Sequence, residues 1–286
     1  MSASLRPVTT SDTPGGWSEV ADRCFVRRHE HLDVSSTAII GAHGVTVVDT
    51  RASRSQGHDL VEQVRRLTSL PVAYLVNTHV HFDHLFGNGA FAGVPAVAHD
   101  SVPADLPAHV ESVRRLYEAD TDDPYRHEVL ATEVVPPDVT FSSAWATDLG
   151  DRYLEVVHLG RGHTAGDVLV RVPDADLLCA GDLIESSAAP SYGVDCYPLE
   201  WGATLEQVSS LIGAGTVVVP GHGPVVDKAF VLDQRLDIVD VSEQIRALAH
   251  ARVPVGEALA QGQWPFPADG LRDAVRRGYA HGDRES

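Results

Sequence analysis

Cysteine is nearly absent from this 286-residue chain. Cys24, Cys179 and Cys196 are the only three, with no spacing that suits a disulfide framework or a thiolate metal site. They are expected to be reduced, buried thiols. No apolar run approaches the ~20 residues needed to cross a bilayer, so no helical membrane span is expected. Met1 through Trp17 is rich in Ser, Thr, Pro and Gly and lacks the apolar stretch of a secretory signal, so the expected location is cytoplasmic. Basic residues are scarce too. Twenty-two Lys and Arg face 40 Asp and Glu, a formal charge of −18, which disfavours a grip on phosphate backbones through clustered cations. The expected partner is therefore a small molecule, with neither nucleic acid nor membrane. There is no Gly-x-Ser-x-Gly elbow to supply a serine nucleophile, and no internal repeat or low-complexity tract.

Histidine, by contrast, is concentrated. Thr78-His79-Val80-His81-Phe82-Asp83-His84 places three imidazoles and a carboxylate after Pro71–Asn77, a short apolar run that reads as a buried strand. Extended chain alternates faces, so His79 and His81 project to one side and can share an ion. Asp83 and His84 lie where the chain must turn before Gly87-Asn88-Gly89, and can point toward a second position nearby. Imidazole with carboxylate suits zinc, with iron or manganese as alternatives. Three later segments repeat the design of a strand-like run ending in a potential ligand beside glycine. They end at Gly160-Arg161-Gly162-His163-Thr164-Ala165-Gly166-Asp167, at Gly181-Asp182 and at Gly221-His222-Gly223.

The order His-x-His-x-Asp-His, Gly-His-Thr-x-Gly-Asp, Gly-Asp and Gly-His-Gly resembles the metallo-β-lactamase superfamily from about Ser36 to Val226. The resemblance implies an α/β (α+β) chain folded as a four-layer αββα sandwich, with metals at one edge between two sheets. It implies two Zn2+, with Fe or Mn as alternatives: His79, His81 and His163 on the first, Asp83, His84 and His222 on the second, and Asp182 bridging. Asp49, at the end of an early strand, would orient a ligand imidazole rather than bind metal. Zinc lowers the pKa of bound water from 15.7 to about 7, so a metal-bound hydroxide would be the nucleophile. Asp83 would also relay a proton to the leaving group.

The implied activity is a dinuclear zinc hydrolase acting on a small ester, lactone or thioester. The alternatives are a β-lactam amide hydrolase and a mononuclear iron-dependent sulfur oxygenase on the same fold. Asp182 stands where one group of true β-lactamases places cysteine, which weakens the β-lactam reading. The glycine-rich segment and basic tail of glyoxalase II and the persulfide dioxygenases have no match here, so thioester specificity stays open.

The chain is expected to divide into a flexible N-terminus (1–20), the metallo-β-lactamase domain (21–227) and a C-terminal helical extension (228–286) packed on that domain. Strands are expected at 24–26 and 94–98, a hairpin over 37–49 and a helix over 56–67. Residues 101–128 read as an amphipathic insertion, either a lid over the cleft or plain packing. A long helix should start at Lys228, with shorter ones near 255–260 and 269–281. His29-Glu30-His31-Leu32-Asp33 imitates the metal motif but is assigned to the surface. Glu185 through Trp201 is the candidate substrate loop, with Tyr192 and Trp201 as contacts and Arg161 for an anionic substrate group.

Overall fold

Strands that alternate residue by residue between two packed faces account for the architecture. In the computed structural model, which describes residues 11–13 and 16–282, the first sheet has eight strands. They lie side by side in sequence order: β1 (Ser11–Thr13), β2 (Trp17–Ala21), β3 (Cys24–Arg28), β4 (Ser35–Ile40), β5 (Val45–Val48), β6 (Val72–Val76), β7 (Ala96–His99) and β8 (Val139–Phe141). Pairing is antiparallel up to β5 and parallel from β5 to β8. The second sheet contains β9 (Ala144–Asp148), β10 (Tyr153–Val157), β11 (Leu169–Val172), β12 (Leu177–Glu185) and β13 (Val217–His222). Its strands run in reverse order from β13 to β9, and only β12 and β13 pair in parallel.

Three cores follow from the alternation. Ile39, Val48, Val76 and Val97 of the first sheet meet Leu154, Val156, Val170, Leu177 and Cys179 of the second between the sheets. Val45, Val47 and Leu75 face outward onto Leu60 and Val64 of helix α1 (Arg54–Leu67), one helical turn apart. The Ser53 hydroxyl caps α1 by accepting from the Gln56 backbone N–H. Leu178 and Ala180 face the opposite way, into a core shared with the C-terminal helices. The result is the expected αββα sandwich.

Helix α2 (Phe82–Leu85) is one turn, and α3 (Val102–Ala119) with α4 (Arg126–Leu130) fills the expected insertion. Helix α5 (Trp201–Leu211) and helices α6 (Lys228–His250), α7 (Val255–Gln261) and α8 (Arg272–Gly282) cover the second sheet through one continuous core. No helix among the described residues is long and apolar enough to cross a membrane.

One expectation needs correction. Of the stretch 1–20 assigned to a flexible terminus, 17–20 form most of β2, and Trp17 is 0 % exposed against Phe25, Ala38 and Val45. Burying an indole outweighs the disorder-prone composition around it. Residues 1–10 and 14–15 of that stretch lie outside the described residues. Trp17→Ala is expected to destabilise the metal-free protein by about 3–5 kcal/mol, the usual cost of emptying a large aromatic site. Urea denaturation followed by far-UV circular dichroism measures it, and a loss below about 1 kcal/mol would mean that β2 is dispensable.

Candidate metal centre

The parallel pairs end at one edge of the sandwich, where open α/β sheets place their ligands. From β5 comes Asp49, from β6 the His79–His84 segment, from β12 Asp182 and from β13 His222, while the loop after β10 delivers His163. The approach is close. A Cβ added at Gly221 would sit 1.8 Å from Asp182 Oδ1, so only glycine lets β13 pass the carboxylate. Gly181 takes φ +52° directly before Asp182, with Thr78 packed where a side chain would be.

Hydrogen bonds on the outer side of each imidazole fix which nitrogen faces inward. His84 Nδ1 donates to Asp49 Oδ2 (2.8 Å), His163 Nδ1 to the Ser191 carbonyl (2.9 Å) and His222 Nδ1 to the Leu32 carbonyl (2.7 Å). These acceptors carry no proton, so the protons belong to the histidines. The Thr78 hydroxyl donates to Asp49 Oδ2 (2.8 Å) and therefore accepts from His79 Nδ1 (3.0 Å). His81 is held the other way round, its Nε2 donating to Asp195 Oδ2 (3.0 Å). The remaining nitrogen of each ring thus turns its lone pair toward the others.

The inward atoms are crowded. His163 Nε2 lies 2.8 Å from His81 Nδ1, and His84 Nε2 lies 3.3 Å from His222 Nε2. Asp182 sits between the two sets, its oxygens 3.3–3.7 Å from His79, His84, His163 and His222 Nε2. Asp83 Oδ2 is 3.4 Å from Nε2 of both His84 and His222. Buried His79 Nε2 and Asp182 Oδ1 have no hydrogen-bond partner among the described residues, and buried polar atoms without one are costly. Among the described residues three groups could hold an ion: His79, His81, His163 and Asp182; Asp83, His84 and His222; and His81, His109 and Asp195, which shares His81 with the first. The donor set fits zinc or another divalent metal.

Burial acts first on every one of these groups, and neighbours decide the sign. For His79 and His163 burial prevails and holds both below the ordinary imidazole range, His163 at about 4. For His84 burial is outweighed by Asp182, Asp83 and Asp49, and for His222 by Asp182 and Asp83, which carry it up to about 10. Asp83 and Asp182 lie below the carboxylate range because nearby imidazoles outweigh their burial. The cluster holds cationic charge tightly, and protons are one form of it.

Supporting residues came from segments that the sequence marked without assigning these residues a role. Asp195, which holds His81, lies in an irregular loop with no pattern to reveal it. Asp167 closes the turn that carries His163, accepting from the Thr164 backbone N–H (2.9 Å) and hydroxyl (2.6 Å), and burial pushes it up to about 7. Its place in Gly-His-Thr-x-Gly-Asp was the available signal. His109, on α3, accepts from the Phe82 N–H (2.9 Å) and stacks on His81 at 4.8 Å. His29 and His31 are buried rather than at the surface, and the Leu32 carbonyl beside them holds His222.

A cleft of about 400 Å³ opens over the centre, walled on one side by His109, Ser112, Val113 and Leu116 of α3. The insertion is thus a wall of the cleft. The three expected substrate contacts do not line it. Tyr192 and Trp201 are buried against each other at 4.9 Å, with Trp201 behind the His163 ring, so they back the site instead of facing substrate. Arg161 points to solvent, paired with Glu200 (2.9 and 2.6 Å) and lying over Tyr197. Apolar burial claimed the two aromatics, and a local carboxylate claimed the arginine.

The model of the metallo-beta-lactamase superfamily matches residues 30–225. The chain is 26 % identical over 192 residues to a metallo-beta-lactamase type 2 of Bacillus cereus, the match spanning 66 % of each chain. It is 23 % identical over 212 residues to a linear primary-alkylsulfatase of a Pseudomonas species, spanning 63 % of this chain and 39 % of that one. Among solved structures it resembles a metallo-beta-lactamase from Pontibacter korlensis, with a TM-score of 0.61 at 22 % identity over 78 % of this chain and 97 % of that one. It also resembles the sec-alkylsulfatase Pisa1 from a Pseudomonas species, with a TM-score of 0.73 at 16 % identity over 93 % and 50 % of the two chains. With the family pattern matched over more than half its length and its histidines and aspartates gathered at one sheet edge, the chain belongs to the metallo-β-lactamase superfamily.

Proposed function

We propose that this protein is a dinuclear metal-dependent hydrolase of a small ester, lactone or thioester. The observation that carries the reading is the convergence of five imidazole lone pairs and two carboxylates beneath an open cleft. His79, His81 and His163 would hold one zinc, Asp83, His84 and His222 the other, and Asp182 both; iron or manganese could take the same positions. When bound, the pair would supply hydroxide at neutral pH and a Lewis acid for the scissile carbonyl. Asp49, Thr78, Asp195, Ser191 and Leu32 keep the five rings aimed. Asp83 faces the cleft and could carry a proton from the attacking water to the leaving oxygen or sulfur.

The β-lactam amide reading draws its support from the Bacillus cereus relative, and a substrate panel separates the two. Zinc-loaded protein is expected to contain two ions per chain and to turn over esters, lactones or thioesters in preference to β-lactams. Chelation should remove at least about 99 % of the activity, and added zinc should restore it. A single redox-active iron with oxygen consumption, or preference for β-lactams, would overturn the assignment.

Asp49→Asn should leave the circular dichroism spectrum intact while weakening zinc affinity about 10–100-fold, the usual effect of losing a carboxylate behind a ligand histidine. Unchanged affinity in a competitive chelator titration would remove Asp49 from this role. Zinc loading should also release protons at pH 7, because His84 and His222 have raised pKa values and the metal must displace what they hold. Affinity should therefore fall as pH is lowered. Calorimetry in buffers of differing ionisation enthalpy reads the release, and a buffer-independent heat would contradict it.

A further inference from the structure

The cleft is lopsided in charge and polarity. Leu32, Phe82, Val113 and Leu116 give it an apolar wall, and Leu32 and Leu116 stay 42 % and 62 % exposed there. No described residue lining it is a lysine or an arginine. Glu185, at the end of β12 and in register with His222, adds a carboxylate that is not part of any of the three candidate metal groups. It is 8 % exposed. One of its oxygens accepts from the Ser187 hydroxyl (2.9 Å), and the other makes no hydrogen bond with the described residues.

The neighbouring cations are committed elsewhere. Arg161 is paired with Glu200, and Arg277 donates to the Val194 and Cys196 carbonyls; the two guanidinium groups flank the Tyr197 ring at 4.3 and 5.0 Å. An anionic group entering the cleft would find no lysine or arginine among its described lining residues and would meet Glu185 beside His222. An anion beside a carboxylate, with no cation to offset it, is unfavourable. A hydrocarbon arm would instead cover the exposed leucines, and an ammonium would find a carboxylate with a free oxygen.

We infer that the cleft selects substrates whose remote end is uncharged or cationic, with an apolar arm against Leu32 and Leu116, and that Glu185 discriminates by charge. This rests on the hydrolase reading for the word substrate, but the selection itself can be read without turnover. Butane-1-thiol, 4-aminobutane-1-thiol and 4-sulfanylbutanoate carry the same metal-seeking sulfur on a four-carbon chain, with a far end that is neutral, cationic or anionic. Their dissociation constants on the zinc-loaded protein are measured by calorimetry, for the wild type and for Glu185→Gln.

The wild type should bind the ammonium thiol at least about tenfold more tightly than the carboxylate thiol, and Glu185→Gln should shrink that ratio about fivefold or more. Using the ratio cancels any general disturbance of the site. A ratio near one, a preference for the carboxylate or a ratio unmoved by the substitution overturns the inference. Failure of butane-1-thiol to bind overturns the apolar arm. Turnover of 4-nitrophenyl butanoate is recorded in parallel: a shifted thiol ratio without ester turnover would remove the hydrolase and keep the charge selection.

Discussion

The site depends on hydrogen bonds made behind the histidines. An imidazole has two nitrogens, and a neutral ring can offer a lone pair only from the one that is not protonated. Carboxylates, carbonyls and one committed hydroxyl occupy the outer nitrogens of five rings, so the neutral form of each ring presents its lone pair inward. Asp49 is the centre of this arrangement. It accepts from the Thr78 backbone and hydroxyl and from His84, which joins the end of β5 to the whole His79–His84 segment. Its own φ of +61° is unusual for a residue with a side chain, and three hydrogen bonds offset such strain.

Much of this could be read before any coordinates. Short apolar and β-branched runs marked several of the strands, the resemblance to the metallo-β-lactamase superfamily implied their arrangement in two sheets, and glycine beside each strand end marked where a side chain could turn inward. The gathering of the His79–His84 cluster, His163, Asp182 and His222 was legible because candidate ligands close together in sequence, or set against glycine, leave a pattern. Asp195 left none, since it comes to His81 from 114 residues away, through a loop with no periodicity. The failures at Tyr192, Trp201 and Arg161 share a cause. Proximity in sequence to a ligand says nothing about which way a side chain faces, and burial or a nearby acid settles that.

Polarity is also partitioned by element. Of the residues that aim the histidines, Asp49 and Thr78 follow strand ends, where neighbouring strands fix the backbone, while Leu32, Ser191 and Asp195 come from irregular chain; the apolar wall of the cleft comes from α3, Phe82 and Leu32. Rigid elements suit groups that must meet within tenths of an ångström. Wall residues can vary with less cost, since one apolar side chain can replace another without moving the centre. This division is how one architecture supports different substrates.

Leu32 is where the two roles meet. It takes φ +62°, and Asp33 after it φ +53°, a conformation that costs a residue with a Cβ roughly 1–2 kcal/mol. The bend turns the Leu32 carbonyl onto His222 Nδ1 while its side chain stands in the wall of the cleft. The Arg28–Asp33 ion pair (2.7 Å) and the Gly223 N–H on the Asp33 carbonyl (3.3 Å) hold the bend in place. A relaxed extended backbone would carry the carbonyl away from His222, freeing that ring to turn and its inner nitrogen to leave Asp83 and Asp182. The strain therefore has a structural return, since one short segment sets both the aim of an imidazole and the shape of the apolar wall beside it.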